Sequence, residues 1–243
     1  MHKPEALLQS SNYFWLPVGG LLLKAIIYLV TFLQISCLLI FISFVLLTCK
    51  RTNFRTIINS KKHQHIIFGF TTLVFVLWLF RVSIYDGLII HFLGLTMLAL
   101  VLGFRWSIIS ASFVLMCATL IGNESWAMLG VNGIFGVLLP IAITYGIFML
   151  VFHRVERNLF VYLFLCAFFP GAITIAAKML LFSGYFYVEG MYTWDVLSYN
   201  YTNMTWLMVF PEAFFNGFGM TCLIVYKPDL VYTFDDKFYI EGK

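Results

Sequence analysis

The sequence predicts an all-α, polytopic membrane protein of about seven transmembrane helices, N-terminus outside and C-terminus in the cytoplasm. Three observations carry that prediction. Of 243 residues, 62% are hydrophobic and 11% charged, against roughly 25% charged in a soluble domain. Bilayer is therefore the expected solvent for most of this surface. The apolar residues also fall into long runs, each near the roughly 20 residues a spanning helix needs. The basic residues, finally, gather at the ends of those runs.

The seven runs are 22–48, 66–82, 88–104, 106–122, 131–152, 159–184 and 204–226. Arg105-Trp106 alone separates the third from the fourth and predicts a tight turn between antiparallel helices. Asn123 to Gly130 reads as an interfacial or re-entrant turn, and 185–203 as the longest polar loop, carrying Glu189 and Asp195.

Orientation follows from Lys and Arg in the short loops. Lys50, Arg51, Arg55, Lys61 and Lys62 follow the first run, Arg105 the third, and Arg154 and Arg157 the fifth. The other side holds Lys3, Lys24 and Arg81, and none in 123–130 or 185–203. The basic loops belong inside. The reading is thus one membrane domain, 1–243, with an extracytoplasmic segment 1–21 and a cytoplasmic tail 227–243. Trp15, Trp126, Trp194 and Trp206 near the outer ends fit an interfacial belt. A first apolar run too long for an h-region, without a small-residue cleavage site, predicts no cleaved signal peptide. The net charge of +4 is spread over helix ends and predicts no nucleic-acid partner.

Cys37, Cys49, Cys117, Cys166 and Cys222 lie scattered in apolar runs, which argues against a disulfide framework or a thiolate metal site. No H-E-x-x-H, G-x-S-x-G or phosphate-binding Gly-Lys loop is present, so the chain is read as neither an ATPase nor a protease.

Polar groups inside spans need a reason. His91 opens the third run; it reads either as a metal ligand or as an interfacial histidine bonded to a carbonyl. His2 puts an amine, an amide nitrogen and an imidazole in one short chelate, suited to N-rich square-planar coordination, or is a chance histidine at a terminus. Glu212, with Pro211 before it and Asn216 one turn on, reads as a buried carboxylate bonded to a neighbouring helix, with Lys178 a candidate partner, or as a ligand. Gly217 and Gly219 favour close helix approach there. Asn132, between Gly130 and Gly133, reads as a packing residue or a pocket wall. His63, His65 and His153 read as solvated.

The opening Met1-His2-Lys3-Pro4-Glu5-Ala6 resembles the Met-His-Ile-Pro-Glu/Asp-Gly start of the CbiM/NikM cobalt and nickel proteins, the substrate-specific (S) components of energy-coupling factor transporters. His91-Phe92-Leu93-Gly94, Leu120-Ile121-Gly122-Asn123, Leu129-Gly130-Val131-Asn132 and Pro140 are similar in order and spacing to that family's His-Leu-Leu-Gly, Leu-Phe-Gly-Asp, Leu-Gly-Ala-Asn and Pro. The segment Phe210–Gly217 and the tail Tyr232 to Asp236 resemble a proteobacterial branch of permease-like proteins. Lys3 stands where the family has Ile, and Ala6 where it has Gly.

The resemblance implies an inner-membrane uptake component for cobalt or nickel, with no covalent cofactor. It implies metal ligation by the Met1 amine, the His2 amide and imidazole, and His91. The implied partners are a transmembrane coupling subunit and ATP-binding subunits. The alternatives are a membrane redox or lipid-modifying enzyme built on His91 and Glu212, and a scaffold or assembly protein.

Overall fold

The computed structural model describes residues 31–235 and Tyr239. The Met1-His2 terminus, Lys3, Trp15, Lys24 and the start of the first apolar run lie outside the described residues.

Helix α1 (Phe32–Arg51) begins at a capping box in which Thr31 and Gln34 exchange side-chain-to-backbone bonds, and it closes on Lys50 and Arg51. Helix α2 (Lys61–Leu79) starts at Ser60, whose hydroxyl accepts from the His63 amide. After it the chain is extended rather than helical. Strands β1 (Arg81–Tyr85) and β2 (Leu88–His91) form an antiparallel hairpin with Arg81 opposite His91. Its turn is Asp86-Gly87, where Gly87 takes φ +82 as tight hairpins require. The run at 88–104, expected to be helical throughout, is therefore a strand followed by a short helix. Apolar runs of this length do not separate strand from helix by hydropathy alone.

Helix α3 (Leu95–Leu120) is broken at Gly103, which takes φ +75 and ψ 168. A straight helix of 26 residues would hold its ends about 39 Å apart. Here His91, just before α3, and Glu124, just after it, line one small cavity, so the two halves run back alongside each other. The reversal sits at Gly103, two residues before the Arg105-Trp106 turn the sequence suggested. At that end Arg105 donates to the carbonyl of Arg51 at 2.7 Å, and Trp106 packs edge-on against Phe54.

The break leaves the carbonyls of Leu100 and Val101 without helical donors, and the C-terminal tail supplies them. The Tyr232 amide donates to Val101, and the Thr233 amide to Leu100. The Thr233 hydroxyl also donates to Leu100, so the Tyr162 hydroxyl, 2.6 Å away, donates to Thr233.

Three long helices complete the bundle: α4 (Trp126–Arg154), α5 (Leu159–Val188) and α6 (Trp194–Tyr226). In α4 and α5 a π-helical stretch, Asn132–Leu138 and Tyr162–Phe168, ends two residues before Pro140 and Pro170. The wider turns make room for rings that would otherwise clash with carbonyls a turn back. The expected loop 185–203 shrinks to the few residues between Val188 and Trp194, because the helices extend into it.

The first half of α3 is the core, with Leu95 to Leu102 buried on every side, as an all-apolar helix must be. The long helices instead turn Leu39, Ile40, Leu46, Leu150, Leu207, Phe210 and other large apolar side chains outward. Five helices among the described residues are long and apolar enough to cross a membrane. The protein is a multi-pass membrane protein.

Candidate functional site

Where irregular backbone runs through a membrane protein, its amides and carbonyls must be satisfied by protein. The segment from His91 to Leu95 shows how. The two carboxylate oxygens of Glu212 accept from the amides of Leu93 and Gly94, both at 2.8 Å. Asn216, one turn on, accepts from the Met97 amide at 2.9 Å and donates back to Glu212. Both residues are fully buried. Together they cap the start of α3 with a carboxylate, where the helix dipole favours negative charge. The Trp78 indole donates to the Leu93 carbonyl at 3.0 Å. Close approach brings this face in. A Cβ on Gly171 of α5 would lie 3.2 Å from the Ala213 Cα, and one on Gly219 would lie 2.9 Å from the Met97 sulfur.

That capped segment holds His91 in place. Its Nδ1 lies 2.8 Å from the Phe92 carbonyl, and its ring meets that of Trp78 at 5.0 Å between centroids. The Nε2 faces the Nζ of Lys178 at 2.7 Å. A carbonyl only accepts and an ammonium only donates, so Nδ1 carries the proton and the Nε2 lone pair points at the lysine. The sequence offered Lys178 as a partner for Glu212; in the structure its hydrogen bond goes to His91. The carboxylate of Glu212 is instead taken by the amides of Leu93 and Gly94 and the side chain of Asn216.

Beside this pair lies a cavity of about 20 Å³, lined by His91, Lys178, Glu124, Asn132, Trp78 and Tyr201 among others. That is room for one water-sized occupant. Glu124 is clamped on both oxygens: Arg81 donates to one at 3.1 Å, and Asn132 to the other at 2.8 Å. Arg81 also reaches Asn123 at 3.0 Å. Asn132 is thus both a pocket wall and a bond between turns. The glycines flanking it pack onto α1, since a Cβ on Gly130 would run into the Leu38 backbone and one on Gly133 into the Phe41 ring.

The structure brings His91 and Asn132 to one cavity, and it sets Glu212 and Asn216 beneath as backbone caps. Met1 and His2 lie outside the described residues. Among the described residues no three His, Cys, Asp or Glu side chains gather about one point, so a metal ion at His91 needs donors from elsewhere. Glu124, Arg81 and Lys178 were not singled out from sequence as site residues. Lys178 carried a signal, a lysine midway along an apolar run. Glu124 and Arg81 carried none, because each stands at a loop edge where charge is ordinary.

No curated protein and no solved structure matches the chain significantly. The family description CbiM, cobalt uptake substrate-specific transmembrane region, matches residues 22–230. That span takes in α1 to α6, the hairpin and every residue of the cavity, and on it the chain belongs to the CbiM family.

Proposed function

We propose that this protein is the substrate-binding membrane subunit of an energy-coupling factor transporter that takes up a divalent transition metal, cobalt or nickel. The observation that carries the reading is His91. Its imidazole lines a cavity of about 20 Å³, with Nδ1 held on the Phe92 carbonyl and the Nε2 lone pair met by Lys178, within a chain of the cobalt-uptake family. Imidazole nitrogen suits the later first-row ions over magnesium or manganese. The remaining donors are the Met1 amine and the His2 amide and imidazole. The 30 residues before Thr31 span up to about 100 Å when extended, so reach does not forbid their arrival. The ion is cargo, held near the outer surface until it is released inward.

The single membrane domain makes seven passes with the N-terminus outside and the C-terminal tail in the cytoplasm. Four are the unbroken long helices α1, α4, α5 and α6, and α2 is a fifth. The two halves of α3 are the sixth and seventh, the first half prolonged outward by β2. The basic ends of α1 and α2 and Arg105 support a cytoplasmic location for the Gly103 reversal.

The chain carries no nucleotide-binding motif, so work must come from ATP-binding subunits through a transmembrane coupling subunit. Reconstitution tests this. Liposomes holding the whole complex should take up cobalt or nickel only with ATP inside, and liposomes holding this chain alone should take up none. ATP-independent uptake by the chain alone would replace the reading with a solitary carrier.

A further inference from the structure

We propose that Lys178 is a tethered stand-in for the transported ion: its ammonium fills the place at His91 Nε2 that a metal ion takes, and the ion loads by pushing it aside. This rests on His91 being a ligand. Four observations carry it.

First, the contact is at bonding distance, Nζ to Nε2 2.7 Å, along the lone pair that a metal would use. An ion and the ammonium cannot both have it. Second, Lys178 is buried, 6% exposed, and its contact with His91 is a cation on a neutral ring rather than an ion pair. Third, a second acceptor stands in the same cavity. Glu124 lines it with Lys178, and each of its oxygens, holding one bond from Arg81 or Asn132, keeps a further lone pair for an ammonium. Fourth, there is room to move. A Cβ on Gly136 would find only the Lys178 Cε, at 4.0 Å, so the flank of the lysine stem is open, and four flexible carbons allow the head to swing.

Two arrangements follow. In the empty protein the ammonium sits on His91 and keeps the cavity closed to weakly bound cations. In the loaded protein the metal sits on His91 and the ammonium leans toward Glu124. Loading thus pits the metal against an internal competitor of fixed concentration. Sodium or magnesium gains too little from imidazole to win that exchange, whereas nickel or cobalt gains much more. Lys178 would set affinity and selectivity without touching the ion.

The test uses the full chain in detergent and nickel(II) alone as the probe, with binding read by equilibrium dialysis. The parent, Lys178→Met, Lys178→Gln and His91→Ala are compared, each first checked by thermal unfolding. With the competitor gone, both lysine variants should bind nickel at least tenfold more tightly than the parent, and His91→Ala should lose binding. If His91→Ala binds as the parent does, the ligand reading itself fails. If His91→Ala loses binding while neither lysine variant gains, the ligand stands and the stand-in proposal is overturned. If neither lysine variant folds, the ammonium is a fixed structural member rather than a displaceable one, and the proposal is equally overturned.

Discussion

Glu212 and Gly94 meet across helices through a carboxylate and a backbone amide at 2.8 Å. That bond and its twin to Leu93 convert an ionisable residue deep in an apolar helix into a backbone cap. They also fix the segment that carries His91, so the polar centre and the candidate site are one construction.

Glu212→Ala should strip two buried amides of their acceptor. At about 1–3 kcal/mol for each unsatisfied group, the expected destabilisation is roughly 2–6 kcal/mol, visible as a large fall in Tm in detergent. Glu212→Gln keeps one carbonyl acceptor but turns an amide N–H toward a backbone N–H, and should fall between. A Glu212→Ala protein as stable as the parent would remove the capping account.

Gly103→Ala should loosen the C-terminal tail. The φ of +75 with ψ 168 is backbone that only glycine adopts freely, with a cost of about 1–3 kcal/mol for other residues. The new Cβ would also lie 2.9 Å from the Tyr232 ring. Limited proteolysis at the tail should proceed faster in the variant. Equal cutting rates in parent and variant would show that the reversal tolerates a side chain.

Much of this architecture is legible in the sequence, and the misses have one cause. Composition and run length show a multi-pass membrane protein, and the paired glycines around Asn132 signal the tight seam with α1 at Leu38 and Phe41. Hydropathy is blind to backbone shape. It gave no warning that Arg81 to His91 would be a hairpin, although Asp86-Gly87 is a turn signal. It also read α5 and α6 as ending short of Tyr185 and starting past Tyr201, since aromatic and polar residues at a helix end resemble a loop. For Glu212 the sequence raised the right alternatives, a bonded carboxylate or a ligand, but it could not supply the partner. The acceptor's donors are backbone amides some 118 and 119 residues away in the chain, and backbone has no signature in composition. Lys178 was misassigned for a related reason: two buried charges invite pairing on paper, whereas packing set the lysine head on the His91 ring.

Membrane orientation has its own check. In a background without the native cysteines, a membrane-impermeant thiol reagent applied outside should label Asp195→Cys and spare Ser60→Cys. Asp195 sits at the start of α6 and Ser60 at the cap of α2, at opposite ends of the bundle. The reverse pattern would turn the protein over and place the His91 cavity on the cytoplasmic side.

The proposed site holds one transition-metal ion between His91 and the free N-terminus. Nickel binding to the purified parent decides it when compared with His91→Ala and with a parent extended by a few residues before Met1, which removes the amine from its place while leaving His2 in the chain. If the site exists, one ion binds per parent chain and binding weakens at least tenfold, about 1.4 kcal/mol, in each variant. Binding by both variants as tight as the parent's would contradict it.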